Sequence, residues 1–195
     1  MKAPAAIIFS DLDGTLLDHD DYRFDAAAPA LAAVRAADIP LILTTSKTLA
    51  EVAEINQALE NPRPAIVENG AALCFPLAHA SPSLPPDHEI LDGYAVVRLA
   101  TPYALVRKFI EQQRSAHGWR LRGFGDMTTA EVAELTGLDL AAAARAQQRL
   151  CAEPFLWLDD GARFERLLDE ASAARLRITR GGRFHHLMGQ TSKAE

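Results

Sequence analysis

The sequence predicts an α/β fold with a doubly wound parallel sheet, into which an α+β domain is inserted. Apolar runs at residues 5–9 and 39–44, and a third short strand and turn at 64–71, are typical of strands covered on both faces. Helical segments separate the runs, which is the β-α-β order of a parallel sheet. A proline-rich stretch near residue 80 then indicates a boundary.

The composition is that of an ordinary globular protein: 195 residues, 49% hydrophobic and 24% charged. The net charge of −6 argues against a nucleic-acid partner. No apolar stretch approaches the roughly 20 residues that span a bilayer, so we expect no membrane partner. Acidic residues stand where a signal-peptide cleavage site would lie. Cys74 and Cys151, without a CxxC motif, indicate free thiols in a reducing compartment, and we expect a cytoplasmic location.

The first strand ends in two carboxylates separated by one residue. Asp11 and Asp13 follow the apolar run, and Gly14 and Thr15 come next. Because strand residues alternate in direction, both carboxylates would point the same way beyond the strand's carboxyl end, where open α/β sheets bind ligands. Two carboxylates this close repel each other, and a bound cation or a shared proton would relieve the repulsion. A simple Asp-Gly turn is the alternative interpretation.

Hydroxyl side chains collect after the second strand, in the segment Thr45-Ser46-Lys47-Thr48. Thr48 and Glu51 have the spacing of a capping box, which predicts a helix beginning here. Hydroxyl groups at a strand end beside a helix N-terminus suit a phosphate group. Plain helix capping explains the same residues.

Residues 81–186 predict an α+β insertion, and residues 1–80 and 187–195 predict the domain that receives it. Within the insertion we expect N-caps at Thr128 and Asp139, and a helix ending at Gly118. Two glycines, Gly181 and Gly182, separate two strand-like runs and predict a tight hairpin. The expected strands cover 94–99, 119–124 and 154–158, and the expected helices cover 101–118 and 162–174.

The segment Asp11-Leu12-Asp13-Gly14-Thr15 resembles the first motif of the haloacid-dehalogenase (HAD) superfamily of phosphohydrolases. The resemblance implies a HAD-like (Rossmannoid) core with a cap domain of the large C2 type. It implies that Asp11 is the nucleophile, that Asp13 is the general acid and base, and that both aspartates hold Mg²⁺. These residue types fit that chemistry, because a carboxylate nucleophile divides ester hydrolysis into two displacements and Mg²⁺ prefers oxygen ligands.

Further segments resemble the mannosyl-3-phosphoglycerate phosphatase family. The resemblance is carried by Thr45-Ser46-Lys47-Thr48 and by residues 123–128, 131–138, 151–155 and 180–189. It implies hydrolysis of mannosyl-3-phosphoglycerate, a small phosphorylated sugar acid, to phosphate and mannosylglycerate, a compatible solute. A Cof-type sugar-phosphate phosphatase with the same fold is the alternative.

The resemblance also assigns roles to individual residues, and the types agree with them. Arginine pairs well with phosphate and carboxylate groups, and a Gly-Gly turn lets backbone N–H groups approach an anion. The implied phosphate-binding residues are Thr45, Ser46 and Lys193. The implied substrate-binding residues are Lys47, Glu68, Asn69, Arg180, Gly181, Gly182 and Arg183.

An acidic fourth motif, which would complete the metal site, is implied after Lys193, and the 195 residues do not contain it. We therefore expect weak or no Mg²⁺-dependent turnover from this chain alone. A non-catalytic HAD fragment that binds phosphorylated sugars is the alternative from another functional class. An incomplete sheet presents an unpaired apolar edge, so we also expect self-association.

Overall fold

The computed structural model describes residues 6–18, 23–79 and 84–191. The strands are β1 (Ile8–Ser10), β2 (Leu41–Thr44), β3 (Ala65–Val67), β4 (Ala72–Pro76), β5 (Glu89–Leu91), β6 (Tyr94–Arg98), β7 (Leu121–Gly123), β8 (Glu153–Trp157), β9 (Leu176–Gly181) and β10 (Phe184–Gly189). The helices are α1 (Ala28–Ala36), α2 (Leu49–Ala58), α3 (Tyr103–His117), α4 (Thr129–Thr136), α5 (Leu140–Ala146) and α6 (Gly161–Ala173).

The first sheet has six strands in the order β1-β2-β3-β4-β6-β5. Parallel pairing joins β1 to β2 and β2 to β3, whereas β4, β6 and β5 pair antiparallel. The predicted α/β class is confirmed, but the sheet is mixed rather than wholly parallel. The reason is the length of the connections: four residues (68–71) join β3 to β4, and a parallel neighbour needs a crossover of a dozen residues or more.

The predicted domain limits differ from the limits of the sheets. β5 and β6, expected in the insertion, belong to the first sheet, and β10 keeps residues 187–189 in the second sheet. Of the prolines predicted to form a linker, Pro76 ends β4, and Pro85 and Pro86 precede β5 of the same sheet. Pro82 lies outside the described residues. The chain instead crosses near Thr101 and returns at Gly189, where an added Cβ would lie 2.8 Å from the backbone N of Thr101. These crossing segments can touch because Gly189 has no side chain.

The second sheet has four antiparallel strands in the order β7-β8-β10-β9. An apolar cluster joins one face to α3 and α6, and a smaller cluster involves α4 and α5. Phe184 pairs with Gly181, so the hairpin turn is formed by Gly182 and Arg183 and not by the predicted Gly181-Gly182 pair. Gly182 has φ +56°, a conformation that favours glycine. We call the second sheet with α3 to α6 the cap layer, and the first sheet with α1 and α2 the core layer.

Four of the predicted helix ends are confirmed, whereas α3 begins at Tyr103 and not at Thr101, with Pro102 as its N-cap. Thr48 and Glu51 form a capping box at the start of α2, and Thr128 begins α4 in the same way. The Asp139 side chain accepts a hydrogen bond at the start of α5. Gly118 ends α3 in the left-handed conformation. These local signals hold because a cap needs only neighbouring residues.

Strand β1 lies at an edge of the first sheet and, among the described residues, pairs with β2 alone. Phe9 of this strand and Ile7, which directly precedes the strand, are 62% and 52% exposed. Self-association through this edge stays a prediction. In the described ranges, no helix has the length and apolar character needed to cross a membrane.

Candidate functional site

A cleft of about 800 Å³ lies between the core layer and the cap layer. Its core wall follows the ends of β1, β2 and β3, and its cap wall follows the β9–β10 hairpin and the end of α5. The predicted site residues on its walls are Asp11, Asp13, Ser46, Lys47, Asn69, Arg180, Gly181, Gly182 and Arg183. The structure therefore brings together residues that are far apart in the sequence.

The two aspartates of the first motif both line this cleft. Leu12 between them is fully buried, whereas Asp11 and Asp13 are exposed. The Leu12 N–H donates to Oδ1 of Asp11 at 2.8 Å, which orients that carboxylate. Gly14, at φ +68°, then lets the chain fold back, because glycine adopts this conformation without strain.

Lys47 connects the loops that follow β1 and β2. Its Nζ atom lies 3.0 Å from Oδ1 of Asp13, and its side chain is 14% exposed. Its backbone N–H donates to Oγ1 of Thr45 at 3.2 Å, and its carbonyl accepts from the N–H of Glu68 at 3.0 Å. The ammonium group is thus held at the cleft by a loop that is fixed at both ends.

Thr45, predicted to bind phosphate, does not line the cleft. Its side chain is fully buried, and its hydroxyl accepts the Lys47 N–H beneath the wall. Thr45 shapes the loop from below, while its neighbour Ser46 reaches the cleft. Lys193, the other predicted phosphate ligand, lies outside the described residues.

Glu68, predicted to bind substrate, has a different place in the structure. Its side chain is fully buried, and its carboxylate accepts hydrogen bonds from three backbone N–H groups of the segment that joins α5 to β8, those of Leu150, Cys151 and Ala152. The side chains of these three residues pack in the apolar cluster of the core layer. Burial raises the pKa of Glu68, and the positive charge of Arg149 with the three N–H groups opposes that rise. The predicted contact between this carboxylate and the substrate was wrong. Its hydrogen-bonding partners lie 82 to 84 positions further along the chain, and the sequence around Glu68 gives no sign of them.

The cap wall of the cleft is rich in arginine. Arg149 donates to the Ser46 carbonyl at 3.0 Å, and Arg183 donates to the Leu135 carbonyl. Arg177 and Arg180 lie on the same wall. Among the residues that the structure describes, none of these four forms an ion pair with a carboxylate. The charge of Arg149 acts on the buried Glu68 carboxyl group, and Arg177, Arg180 and Arg183 add further positive charge to this wall.

Several residues of the cap wall were missed by the sequence analysis, namely Arg149, Arg177, Thr179 and His186. Arg177 and Thr179 precede Gly181 at intervals of two, so strand alternation could have placed them on its face. No local signal marks Arg149. Burial, and then the charge of Arg149, lowers the pKa of His186 to about 4, so its imidazole is neutral at pH 7.

The oxygen atoms of Asp11 and Asp13 are of the type that a hard cation binds, because Mg²⁺ prefers carboxylate oxygens as ligands. Within the described ranges, no three acidic, histidine or cysteine side chains are grouped closely enough to hold a metal ion. The site therefore offers the oxygens of Asp11 and Asp13. Mg²⁺ is commonly held by one or two carboxylates, with water and substrate phosphate completing its shell.

Known proteins resemble this chain in sequence. The family described as haloacid dehalogenase-like hydrolase matches residues 8–79. A glucosyl-3-phosphoglycerate/mannosyl-3-phosphoglycerate phosphatase from Methanococcoides burtonii is 41% identical over 97% of this chain and 69% of its own length. A protein with the same name from Persephonella marina is 40% identical over 94% of this chain and 66% of its own length.

Solved structures support the fold at lower identity. A protein from Thermoplasma acidophilum matches with a TM-score of 0.63 and 16% identity, over 96% of this chain and 66% of that one. A HAD-superfamily phosphatase from Bacteroides thetaiotaomicron matches with a TM-score of 0.62 and 18% identity, over 97% of this chain and 69% of that one. The chain spans about two thirds of the length of the relatives it matches. It belongs to the haloacid dehalogenase-like hydrolases, in the family of glucosyl-3-phosphoglycerate/mannosyl-3-phosphoglycerate phosphatases.

Proposed function

We propose that this protein hydrolyses the phosphomonoester of mannosyl-3-phosphoglycerate or of its glucosyl counterpart. The observation that carries the proposal is the shared cleft, in which Asp11 and Asp13 face a wall of arginines. The names of two relatives at 40–41% identity support the substrate class. The two free, buried cysteines agree with a cytoplasmic location, which is part of the proposal.

The proposed reaction has two displacements at phosphorus. In the first, an oxygen of Asp11 attacks the phosphorus, the bond to the ester oxygen breaks, and Asp13 donates a proton to the leaving oxygen. In the second, Asp13 takes a proton from water, the water oxygen attacks the phosphorus, and the bond to Asp11 breaks. Inorganic phosphate leaves, and both aspartates return to their starting state.

The remaining groups in the cleft bind and orient the substrate. The hydroxyl of Ser46 and the ammonium of Lys47 lie on the aspartates' side and would contact the phosphate. The Asp11 carboxylate and the Asp13 carbonyl would hold Mg²⁺, whose charge would offset the negative charge of the phosphate. Placing these groups beforehand lowers the barrier, because no reorganisation is needed during the reaction.

The cap wall would bind the acidic end of the substrate. A glycosyl-3-phosphoglycerate carries a carboxylate as well as a phosphate, and arginine can form two parallel hydrogen bonds to either group. Arg177 and Arg180 have no carboxylate partner among the described residues, in contrast to Arg120, which pairs with Asp159 at 3.0 Å. This difference supports a sugar acid over a neutral sugar phosphate.

A substrate panel tests the proposal, with binding and phosphate release measured on the same preparation. The panel contains mannosyl-3-phosphoglycerate, glucosyl-3-phosphoglycerate and two hexose phosphates, each with Mg²⁺. We expect both phosphoglycerates to bind and to release phosphate in preference to the hexose phosphates. Preference for hexose phosphates would support a Cof-type enzyme. Binding without any release would support the non-catalytic alternative.

A further inference from the structure

We propose that Glu68 is a positioning residue that clamps the cap layer to the core layer beneath the cleft, and that this clamp and ligand binding stabilise each other. The coupling rests on the proposed function, which supplies a phosphate-bearing ligand. The clamp itself rests on contacts between residues 68 and 150–152. It assigns Glu68 a role in holding the site's two walls together.

The clamp consists of three hydrogen bonds from backbone N–H groups to one carboxyl group. Oε1 of Glu68 accepts the N–H of Leu150 at 2.6 Å, and Oε2 accepts those of Cys151 at 2.9 Å and Ala152 at 2.7 Å. Glu68 is fully buried, so water does not compete for these donors. Hydrogen bonds to an ionised carboxylate are about twice as strong as neutral ones, and the three donors are consecutive residues leading directly into β8.

The backbone at Glu68 is bent in a way that serves both layers. Glu68 and Asn69 have φ values of +50° and +60°, in the left-handed region that residues other than glycine rarely adopt. The Glu68 N–H donates to the Lys47 carbonyl at 3.0 Å, and the Asn69 N–H donates to the Thr45 carbonyl at 2.9 Å. The bend directs the Glu68 side chain toward residues 150–152 and leaves Asn69 on the cleft wall.

The clamped segment also carries a residue of the opposite wall. Arg149 immediately precedes Leu150 and donates to the Ser46 carbonyl at 3.0 Å. Ser46, Asn69 and Arg149 all line the cleft. Glu68 therefore fixes the spacing between a core wall that would bind phosphate and a cap wall that would bind the rest of the ligand.

This arrangement has a thermodynamic consequence. A ligand that contacts both walls binds better when the walls are held at the correct spacing. Coupling between two equilibria is reciprocal, so such a ligand must also stabilise the clamp. The amides of Leu150, Cys151 and Ala152 should then exchange their hydrogens more slowly when the ligand is bound.

Glu153 provides a matched control. It is as fully buried as Glu68, and its carboxylate accepts the Gly125 N–H at 2.9 Å and pairs with Arg107 at 3.2 Å. Both partners belong to the cap layer. Glu153→Gln thus changes a buried carboxyl group and leaves the hydrogen bonds from Leu150, Cys151 and Ala152 to Glu68 in place.

The test compares amide hydrogen exchange in the wild-type chain, Glu68→Gln and Glu153→Gln, with and without 3-phosphoglycerate. In Glu68→Gln we expect exchange at 150–152 to become about ten- to a hundredfold faster, with 3-phosphoglycerate bound at least about tenfold more weakly. In Glu153→Gln we expect faster exchange at Gly125 and unchanged rates at 150–152. In the wild type, 3-phosphoglycerate should slow exchange at 150–152 and leave Gly125 unchanged.

Equal exchange rates at 150–152 in the two variants would overturn the clamp. Equal loss of affinity in the two variants would overturn the coupling. If 3-phosphoglycerate does not bind the wild type, the coupling and the proposed substrate class fail, and the exchange rates without ligand still decide the clamp. If Glu68→Gln does not fold, the wild-type chain still tests the coupling. In that chain, 3-phosphoglycerate would contradict the coupling if it slowed amide exchange equally at Gly125 and at 150–152.

Discussion

The ammonium of Lys47 lies 3.0 Å from the carboxylate of Asp13, joining the loop after β2 to the loop after β1. Sequence reasoning assigned Lys47 to the substrate and Asp13 to proton transfer, and it did not predict their contact. The lysine side chain is 14% exposed and the Asp13 side chain is 40% exposed, so solvent screens this pair from the aspartate side. Lys47 thus contacts the proposed acid and base while it faces the cleft.

Lys47→Met should weaken phosphate binding and turnover by about ten- to a hundredfold, because a charged hydrogen-bond donor is lost beside the proposed site. Lys47→Arg should retain part of the function, since the positive charge remains. Titration calorimetry with phosphate and assays of phosphate release would measure both effects. Lys108→Met, at an exposed position on α3, is the control and should match the wild type. Unchanged affinity and turnover in Lys47→Met would remove Lys47 from the site.

Asp126 should support the stability of the cap layer except in strong acid. Burial by itself would raise the pKa of Asp126, but hydrogen bonds from Arg107, Arg114 and the Gly123 N–H hold this pKa well below its usual range. A lowered pKa in the folded state adds stability above the ordinary carboxyl pKa, and that stability is lost as the pH falls through the folded-state value. Acid unfolding, followed by the fluorescence of Trp119 and Trp157, would measure this loss of stability.

Asp126→Asn should lower the free energy of unfolding at pH 7 by roughly 1.5–3 kcal/mol, with a smaller difference from the wild type in strong acid. Asp25→Asn removes an exposed carboxylate that pairs with Arg23 and should cost less than about 1 kcal/mol. A pH-independent difference between Asp126→Asn and the wild type would contradict the assigned role.

Gly123→Ala should destabilise the cap layer for a steric reason. A Cβ atom at Gly123 would lie 1.9 Å from Oε1 of Glu153, so the buried carboxylate would have to move. We expect a loss of about 1–3 kcal/mol in the free energy of unfolding. Gly161→Ala is the control, because a Cβ there meets no atom within 4 Å, and it should be neutral or slightly stabilising. Similar thermal melting of the two variants would argue against the steric explanation.

Local patterns predicted much of the fold. The capping boxes at Thr48 and Thr128 and the left-handed end of α3 at Gly118 are confirmed, because each depends on residues a few positions apart. Strand pairing was harder to predict. The prolines at positions 76–86 gave the signal of a linker, yet β5 and β6 join β4 in one sheet, and no local pattern distinguishes these outcomes.

Residues of the candidate site could be predicted where a characteristic residue type directly follows a strand, as Asp11 and Asp13 do. It was not predictable where a distant segment decides the role. Glu68 lies on the core layer, but its partners at 150–152 come from the distant segment that leads into β8 of the cap layer, so sequence spacing could not reveal the clamp. Arg149 was missed for the same reason, since its approach to the Ser46 carbonyl exists only after the layers pack together.

The central claim is that Asp11 takes the phosphoryl group, and trapping that group tests it most directly. The chain is mixed with mannosyl-3-phosphoglycerate and Mg²⁺, quenched in acid and examined by peptide mass spectrometry, alongside Asp11→Asn and the exposed control Asp38→Asn. We predict a phosphoryl group on Asp11 in the wild type and the control, and neither a phosphoryl group nor detectable phosphate release with Asp11→Asn. Undiminished release by Asp11→Asn, or a phosphoryl group on another residue, would contradict the account.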